Sequence, residues 1–226
     1  MNELLPAIEI ETAPNPDAAV IWMHGLGDDG RGWSEVVPSL GLPKDLAIRF
    51  LFPHAPIMPV TINNGMTMRA WYDIRQTNLA ERADVDGVRR SQAQIDALLA
   101  REAGRGIAPR RMLLAGFSQG GAIALYAGLR YPERLAGIVA LSTYLVAAER
   151  IASEASAANR DVPIFMAHGT HDPVVAYAWG ERSRDVLNAE GWRVEWRSYP
   201  MEHSAVIDEI VAAGAFIARV LARDGG

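Results

Sequence analysis

The hydrophobic positions of this chain switch repeatedly between short apolar runs and stripes at helical spacing. Ala18 to Met23, Ala47 to Phe52, Met112 to Ala115, Leu135 to Leu141 and Pro163 to Ala167 are short and largely apolar, the pattern of strands buried on both faces. Leu4 to Glu11 alternates weakly, with Pro6, Pro14 and Pro16 marking its limits, and predicts an edge strand. Arg193 to Tyr199 predicts a further strand. Helical segments fall between: Trp33 to Leu40, stopped near Pro38 and Gly41, and Asp86 to Glu102, ending near Gly104. Ala122, Ile123, Leu125, Tyr126 and Leu129 recur at helical spacing, and a small-residue helix is expected around Ala147 to Ala158. Val175 to Ala189 is the next helix. Ser204 to Leu221 closes the chain, with Ile207, Ile210, Val211, Ile217, Val220 and Leu221 on one face. Gly214 falls on that stripe, where it permits close packing against the sheet.

The order strand, helix, strand, helix predicts an α/β fold with a mostly parallel sheet and helices on both sides. Sites in such folds form at the C-terminal ends of the strands. Ile57 to Val85 breaks the rhythm, and a long irregular connection in a compact domain is usually functional or mobile. It reads as the wall or partial lid of a pocket, with Met66, Met68, Trp71 and Tyr72 as candidate substrate-binding surface; mere cover for the core is the competing reading for each. With 226 residues, 1–226 is expected to be one domain, too short to hold a large separate cap.

Composition narrows the function classes. The 22 basic and 27 acidic residues leave a net charge of −5, which disfavours nucleic acid or an anionic membrane surface as an obligate partner. The pairs Arg89-Arg90 and Arg110-Arg111 are read as a solvated helix face or strand edge. There is no cysteine, so disulfides, thiolate catalysis and cysteine-ligated metals are excluded. The N-terminus carries Glu3 and no basic region before an apolar core, unlike a signal peptide. No segment approaches the roughly 18 uninterrupted apolar residues of a membrane span. A cytoplasmic protein that is not integral to a membrane is expected, and no internal repeat is visible.

The chemistry gathers around residues 111–131, RMLLAGFSQGGAIALYAGLRY. A buried strand runs straight into Gly116-Phe117-Ser118-Gln119-Gly120 and then into a helix, the context in which G-x-S-x-G forms a nucleophile elbow. Side chains at 116 and 120 would crowd that turn. The helix N-terminus also aims free N–H groups at the point where an oxyanion forms. An activated serine needs a base and a group to orient it, ordinarily in the chain order Ser, Asp or Glu, His. Of His24, His54, His168, His171 and His203, only the last three follow the serine. His203 sits in the loop before the closing helix and is the expected base, whereas His168 is expected to hydrogen-bond its own loop. Asp172 follows the Pro163 to Ala167 strand and is the expected acid; Asp161 precedes that strand, and Asp185, Glu190 and Asp208 fall on or beside helices. The oxyanion donors are expected to be the N–H groups of Gln119 and of Leu26, in the loop HGLGDDG, with their side chains of little account. Asp28 and Asp29 offer too few regularly spaced oxygens for a hard cation, so neither metal nor cofactor is expected.

These residues resemble a known family. HGLGDDG, FPHAP followed by PVTIN, WYDI, LAGFSQGGA, LST, HGTHDPVV and YPMEH occur in the order and spacing of the phospholipase/carboxylesterase group of α/β-hydrolases, which includes the acyl-protein thioesterases. The resemblance runs from about Ala18 to the end of the chain. It implies the α/β-hydrolase fold, Ser118, Asp172 and His203 as a triad, Leu26 and Gln119 as oxyanion donors, and an acyl pocket lined from the 57–74 segment. It also implies a small-molecule or lipid-like acyl ester as substrate and a monomer or weak homodimer. Met68-Arg69-Ala70 stands where the thioesterase branch commonly shows a Pro-Ser step, and looks more like the bacterial carboxylesterase branch. Ala176 stands where a proline is frequent. A broad-specificity carboxylesterase is therefore the leading expectation, with a long-chain thioesterase or lysophospholipase second. A non-catalytic hydrolase-fold protein would ordinarily have lost a triad member, and none is missing. Gly25, Gly27 and Gly30 formally match a dinucleotide fingerprint, but Asp45 precedes the next strand instead of closing it.

Overall fold

The computed structural model describes residues 4–76 and 84–222. Nine strands are seen among them: β1 (Ala7–Glu11), β2 (Ala18–Met23), β3 (Ile48–Pro53), β4 (Ile57–Val60), β5 (Met66–Arg69), β6 (Met112–Phe117), β7 (Gly137–Leu141), β8 (Ile164–Gly169) and β9 (Val194–Tyr199). Seven of them make one sheet in the order β1-β3-β2-β6-β7-β8-β9. Only β1 runs antiparallel, pairing with β3 at the edge. This is the α/β-hydrolase fold, with no large cap among the described residues.

The central strands are apolar throughout because both of their faces are covered. Along β2, Ala19, Ile21 and Met23 enter one core while Ala18, Val20 and Trp22 enter the other. Along β6 the same alternation sends Met112 and Leu114 one way and Leu113 and Ala115 the other. The first core is closed by α2 (Val85–Gly104), α3 (Gln119–Arg130), the short α4 (Ile151–Glu154) and α5 (Tyr177–Ala189). The second is closed by α6 (Ile207–Val220) and by the region of α1 (Gly30–Ser34). At the sheet edge, Glu102 of α2 is fully buried and meets Arg49 of β3 at 2.8 Å.

Four expectations need correction. Trp33 to Leu40 is not one helix: α1 ends at Ser34, and a 3₁₀ turn over Val37–Leu40 follows, with Pro38 in its first turn. The expected helix around Ala147 to Ala158 is broken into α4 and flanking 3₁₀ turns, since alanines alone supply little apolar area to anchor a longer one. Within the supposedly irregular 57–85 segment, β4 and β5 pair as an antiparallel hairpin, Ile57 opposite Arg69 and Val60 opposite Met66. Residues 77–83 of that segment lie outside the described residues. Finally, α6 begins at Ile207 and is rotated from its expected face: Ile207 and Val211 are exposed, while Ile210, Ala213, Phe216 and Ile217 are buried. Gly214 meets the 3₁₀ turn instead of the sheet. A Cβ there would come within 1.8 Å of the Leu40 carbonyl oxygen, a clash of backbone that no side-chain movement relieves.

The rotation of α6 buries Glu209 completely, and neither carboxylate oxygen has a hydrogen-bond partner among the described residues. Burial alone pushes its pKa up from 4.5 to about 8. Between those values the folded chain holds a proton that the unfolded chain has released. Stability is therefore greatest below 4.5 as far as this group is concerned, and falls by about 1.4 kcal/mol per pH unit towards 8. Glu209→Gln is expected to flatten the profile of melting temperature between pH 5 and pH 8, with its largest advantage over the parent at pH 8. Parallel profiles for the two proteins would show that Glu209 is ionised in the fold.

Candidate active site

The site lies where β2, β6 and β8 reach their C-terminal ends. Between β6 and α3 the chain turns at Ser118, which adopts φ 54° and ψ −119°, a strained conformation for a residue with a side chain. Neighbours hold it there from both directions. Its N–H donates to the Leu141 carbonyl at 2.8 Å, and its carbonyl accepts from the Thr143 hydroxyl at 2.6 Å and from the Ala122 N–H at 3.1 Å. The Leu141-Ser142-Thr143 step after β7 thus braces the elbow. Room for the turn comes from close approach at two glycines. A Cβ on Gly116 would lie 2.3 Å from the Gly120 carbonyl carbon, and one on Gly120 would lie 2.3 Å from the Met23 carbonyl oxygen.

Two further loops bring side chains to the serine. His203 Nε2 lies 2.9 Å from Ser118 Oγ, and His203 Nδ1 lies 2.6 Å from Asp172 Oδ2. Because a carboxylate only accepts, Nδ1–H donates to Asp172, leaving Nε2 as acceptor for the serine hydroxyl. The loops themselves are joined by backbone: Thr170 N–H donates to Tyr199 O at 2.8 Å, and His171 N–H to Met201 O at 3.1 Å, prolonging the β8–β9 pairing. Burial pushes the Asp172 pKa up, but the His203 hydrogen bond and the N–H groups of Val175 and Val174, both on Oδ1 at 2.8 Å, outweigh it and hold the carboxyl below its usual range. His168 donates from Nε2 to the Val175 carbonyl at 2.8 Å, so it braces the Asp172 loop from behind; burial lowers its pKa and keeps it neutral.

The loop that carries Leu26 is fixed by His24. Its Nδ1–H donates to Gly25 O at 2.7 Å and its Nε2 accepts the Ala55 N–H at 3.0 Å, an arrangement only a neutral ring can make. Burial lowers its pKa accordingly. Farther along, Gly27 N–H donates to Arg69 O at 2.9 Å, tying this loop to the β4–β5 hairpin.

Ser118, His203, Leu26 and Gln119 open onto one cavity of about 600 Å³. One part of its wall is apolar and comes from Tyr72, Ile74, Tyr144, Val174 and Val175. Another part comes from the α1 region, with Trp33 and Val36 together with Asp28 and Glu35. Of the four residues expected to bind substrate, only Tyr72 lines this cavity among the described residues. Met66 is 64% exposed on the hairpin, and Met68 accepts a weak hydrogen bond from Asn63 at its sulfur. Trp71 is buried in the core. Phe117, Trp33 and Tyr144 were not anticipated. Phe117 packs its ring 4.8 Å from that of His203 and 5.1 Å from Trp33, which stacks on Trp22. Phe117 occupies the first variable position of G-x-S-x-G and Tyr144 follows LST directly, so adjacency to those motifs was the available signal.

Comparison with known proteins gives the family. Residues 6–221 match the family model described as Phospholipase/Carboxylesterase. The chain belongs to that family. Acyl-protein thioesterase 1 of Neurospora crassa is 41% identical over 223 residues, covering 95% of this chain and 89% of that one. Among solved structures, SOBER1 of Arabidopsis thaliana superposes with a TM-score of 0.86 at 30% identity, over 91% of this chain and 99% of that one. Acyl-protein thioesterase 2 of Zea mays gives 0.83 at 30% identity, over 96% and 99%. Like the thioesterases and carboxylesterases of this phospholipase/carboxylesterase family, the chain is a serine hydrolase of esters. Among its described residues, no helix is long and apolar enough to cross a membrane.

Proposed function

We propose that the chain is a broad-specificity carboxylesterase in which Ser118, His203 and Asp172 act as nucleophile, base and orienting acid. The observation that carries this is the continuous relay from Ser118 Oγ through His203 to Asp172, opening onto a partly apolar cavity. Ser118 Oγ attacks the acyl carbonyl carbon while His203 Nε2 takes the hydroxyl proton. The carbonyl oxygen becomes an oxyanion facing the N–H groups of Leu26 and Gln119; each such donor is worth about 10²–10³ in turnover. His203 then returns the proton to the leaving alcohol or thiol, and an acyl-enzyme remains. Water, deprotonated by the same imidazole, attacks that ester, and the acid leaves as Ser118 regains its proton.

The whole chain acts as one domain in this reading, supported by a sheet that draws strands from both ends of the sequence. A cytoplasmic setting and a monomer or weak homodimer remain our expectation. A long-chain thioesterase is the second reading, favoured by the names of the similar relatives. Initial rates on p-nitrophenyl esters from acetyl to palmitoyl separate the two. A maximum at short chains is expected, because the Tyr72 and Tyr144 hydroxyls meet at 2.9 Å in the cavity wall and close the gap between their loops. A maximum at palmitoyl would establish the second reading.

A further inference from the structure

The side chain of Gln119 is 2% exposed and does not point to solvent or along α3. Its Oε1 accepts the Trp71 N–H at 2.8 Å, and its Nε2 donates to the Tyr72 carbonyl at 2.7 Å. The carboxamide therefore satisfies one backbone donor and one backbone acceptor of this dipeptide at once. Trp71 and Tyr72 are gripped elsewhere too. The Trp71 indole N–H donates to the His24 carbonyl at 2.9 Å, at the root of the oxyanion loop, and the Ser91 hydroxyl of α2 donates to the Trp71 carbonyl. The Tyr72 ring lines the cavity, and its hydroxyl meets that of Tyr144. Gly120, next in α3, packs on the Met23 and His24 carbonyls. A closed circuit results: oxyanion loop, Trp71, Gln119, and back through Gly120 to the same loop.

We propose that the Gln119 carboxamide is a positioning group that couples the acyl wall at Tyr72 to the oxyanion hole. This rests on the serine-esterase reading and deepens it. An acyl chain pressing on Tyr72 loads a dipeptide whose backbone is hydrogen-bonded to the residue that supplies one oxyanion N–H. Chain length is then felt in the alignment of that N–H, in kcat as well as in KM. Cutting the two hydrogen bonds removes the side-chain link between residue 119 and the Trp71-Tyr72 backbone while residue 119 still carries a backbone N–H.

The test compares acetyl and hexanoyl p-nitrophenyl esters in the parent, Gln119→Met and Gln119→Glu. The ratio of their kcat/KM values cancels any titration common to both substrates, His203 included. In Gln119→Met, similar in length but without either hydrogen bond, the hexanoyl-to-acetyl ratio is expected to fall about tenfold, the worth of a buried hydrogen-bonded pair. Most of that fall is expected in kcat. In Gln119→Glu an ionised carboxylate would face the Tyr72 carbonyl, but a protonated one donates to it and accepts from Trp71. The titratable groups around this position include the neutral His24 behind Trp71, the Tyr72 and Tyr144 hydroxyls, and His203 on the neighbouring Ser118. Asp28 and Glu35 in the cavity lining and Asp84 beside Tyr72 at the start of α2 complete this set. The ratio in Gln119→Glu should therefore rise towards the parent value as pH falls from 8 to 5, with no such trend in the parent. Should Gln119→Met not fold, the pH series on Gln119→Glu carries the comparison within one sample. An undiminished ratio in folded Gln119→Met would overturn the coupling, as would parent ratios in Gln119→Glu over the pH range in which titration shows its carboxyl ionised. Undiminished activity in Ser118→Ala would instead remove the serine reading beneath it.

Discussion

Ser118→Ala is expected to lower kcat/KM by about 10⁶-fold, and His203→Ala by a similar factor, with the double variant no worse than either alone. Nucleophile and base work as one unit: without Oγ there is no proton for the imidazole to take, and without the imidazole the hydroxyl stays a poor nucleophile. A residual rate about 10³–10⁴ above that in water should survive in all three, supplied by the oxyanion N–H groups and the cavity. Folding should be unaffected, because the contacts that brace the elbow at residue 118 are made by its backbone. Single-turnover rates on an activated ester measure all three variants. A double variant lower than both singles by a further several hundredfold would mean that the two residues contribute independently.

Gly120→Ala is the second large effect. The added methyl would lie 2.3 Å from the Met23 carbonyl oxygen and 2.5 Å from that of His24, and neither is the end of a flexible side chain. Backbone must shift, either in α3, which carries Gln119, or in the strand end that leads to Leu26. We expect a loss of about 3 kcal/mol in stability and, in whatever folds, a kcat reduced by at least the value of one oxyanion donor, about 10²-fold. Gly104→Ala is the control. No atom lies within 4 Å of its Cβ position, so at the end of α2 the change should be neutral or stabilising by up to about 1 kcal/mol. Denaturant midpoints and kcat for the two variants give the contrast, and a fully active, fully stable Gly120→Ala would show that the elbow tolerates a side chain.

What could be read from the sequence followed a physical pattern. β2, β6, β7 and β8 stood out because a strand buried on both faces has no polar positions to blur it. Ser118, Asp172 and His203 stood out because each lies in the loop that leaves the C-terminal end of a strand, so the order of elements already brings them to one end of the sheet. The cavity wall did not stand out. Trp33, Tyr144 and Val174 come from segments more than 25 residues apart, and no local pattern records that they line one cavity. The β4–β5 hairpin was hidden by strands of four residues, with Pro59 inside one of them. The face of α6 is not given by its apolar stripe alone, because Glu209 is buried and Val211 is not. The Gln119 side chain was discounted because its backbone already had a role; its partners at Trp71 and Tyr72 lie 48 and 47 residues away.

The central claim is that Ser118 carries the acyl group. Treating the enzyme with an alkyl p-nitrophenyl phosphonate, which a serine nucleophile attacks at phosphorus with loss of p-nitrophenolate, tests it most directly. The account predicts one phosphonyl group per chain, located by peptide mass spectrometry on Ser118, with activity lost in proportion to labelling and no label in Ser118→Ala. Inactivation with the label on another residue, or full activity with Ser118 fully labelled, would contradict it.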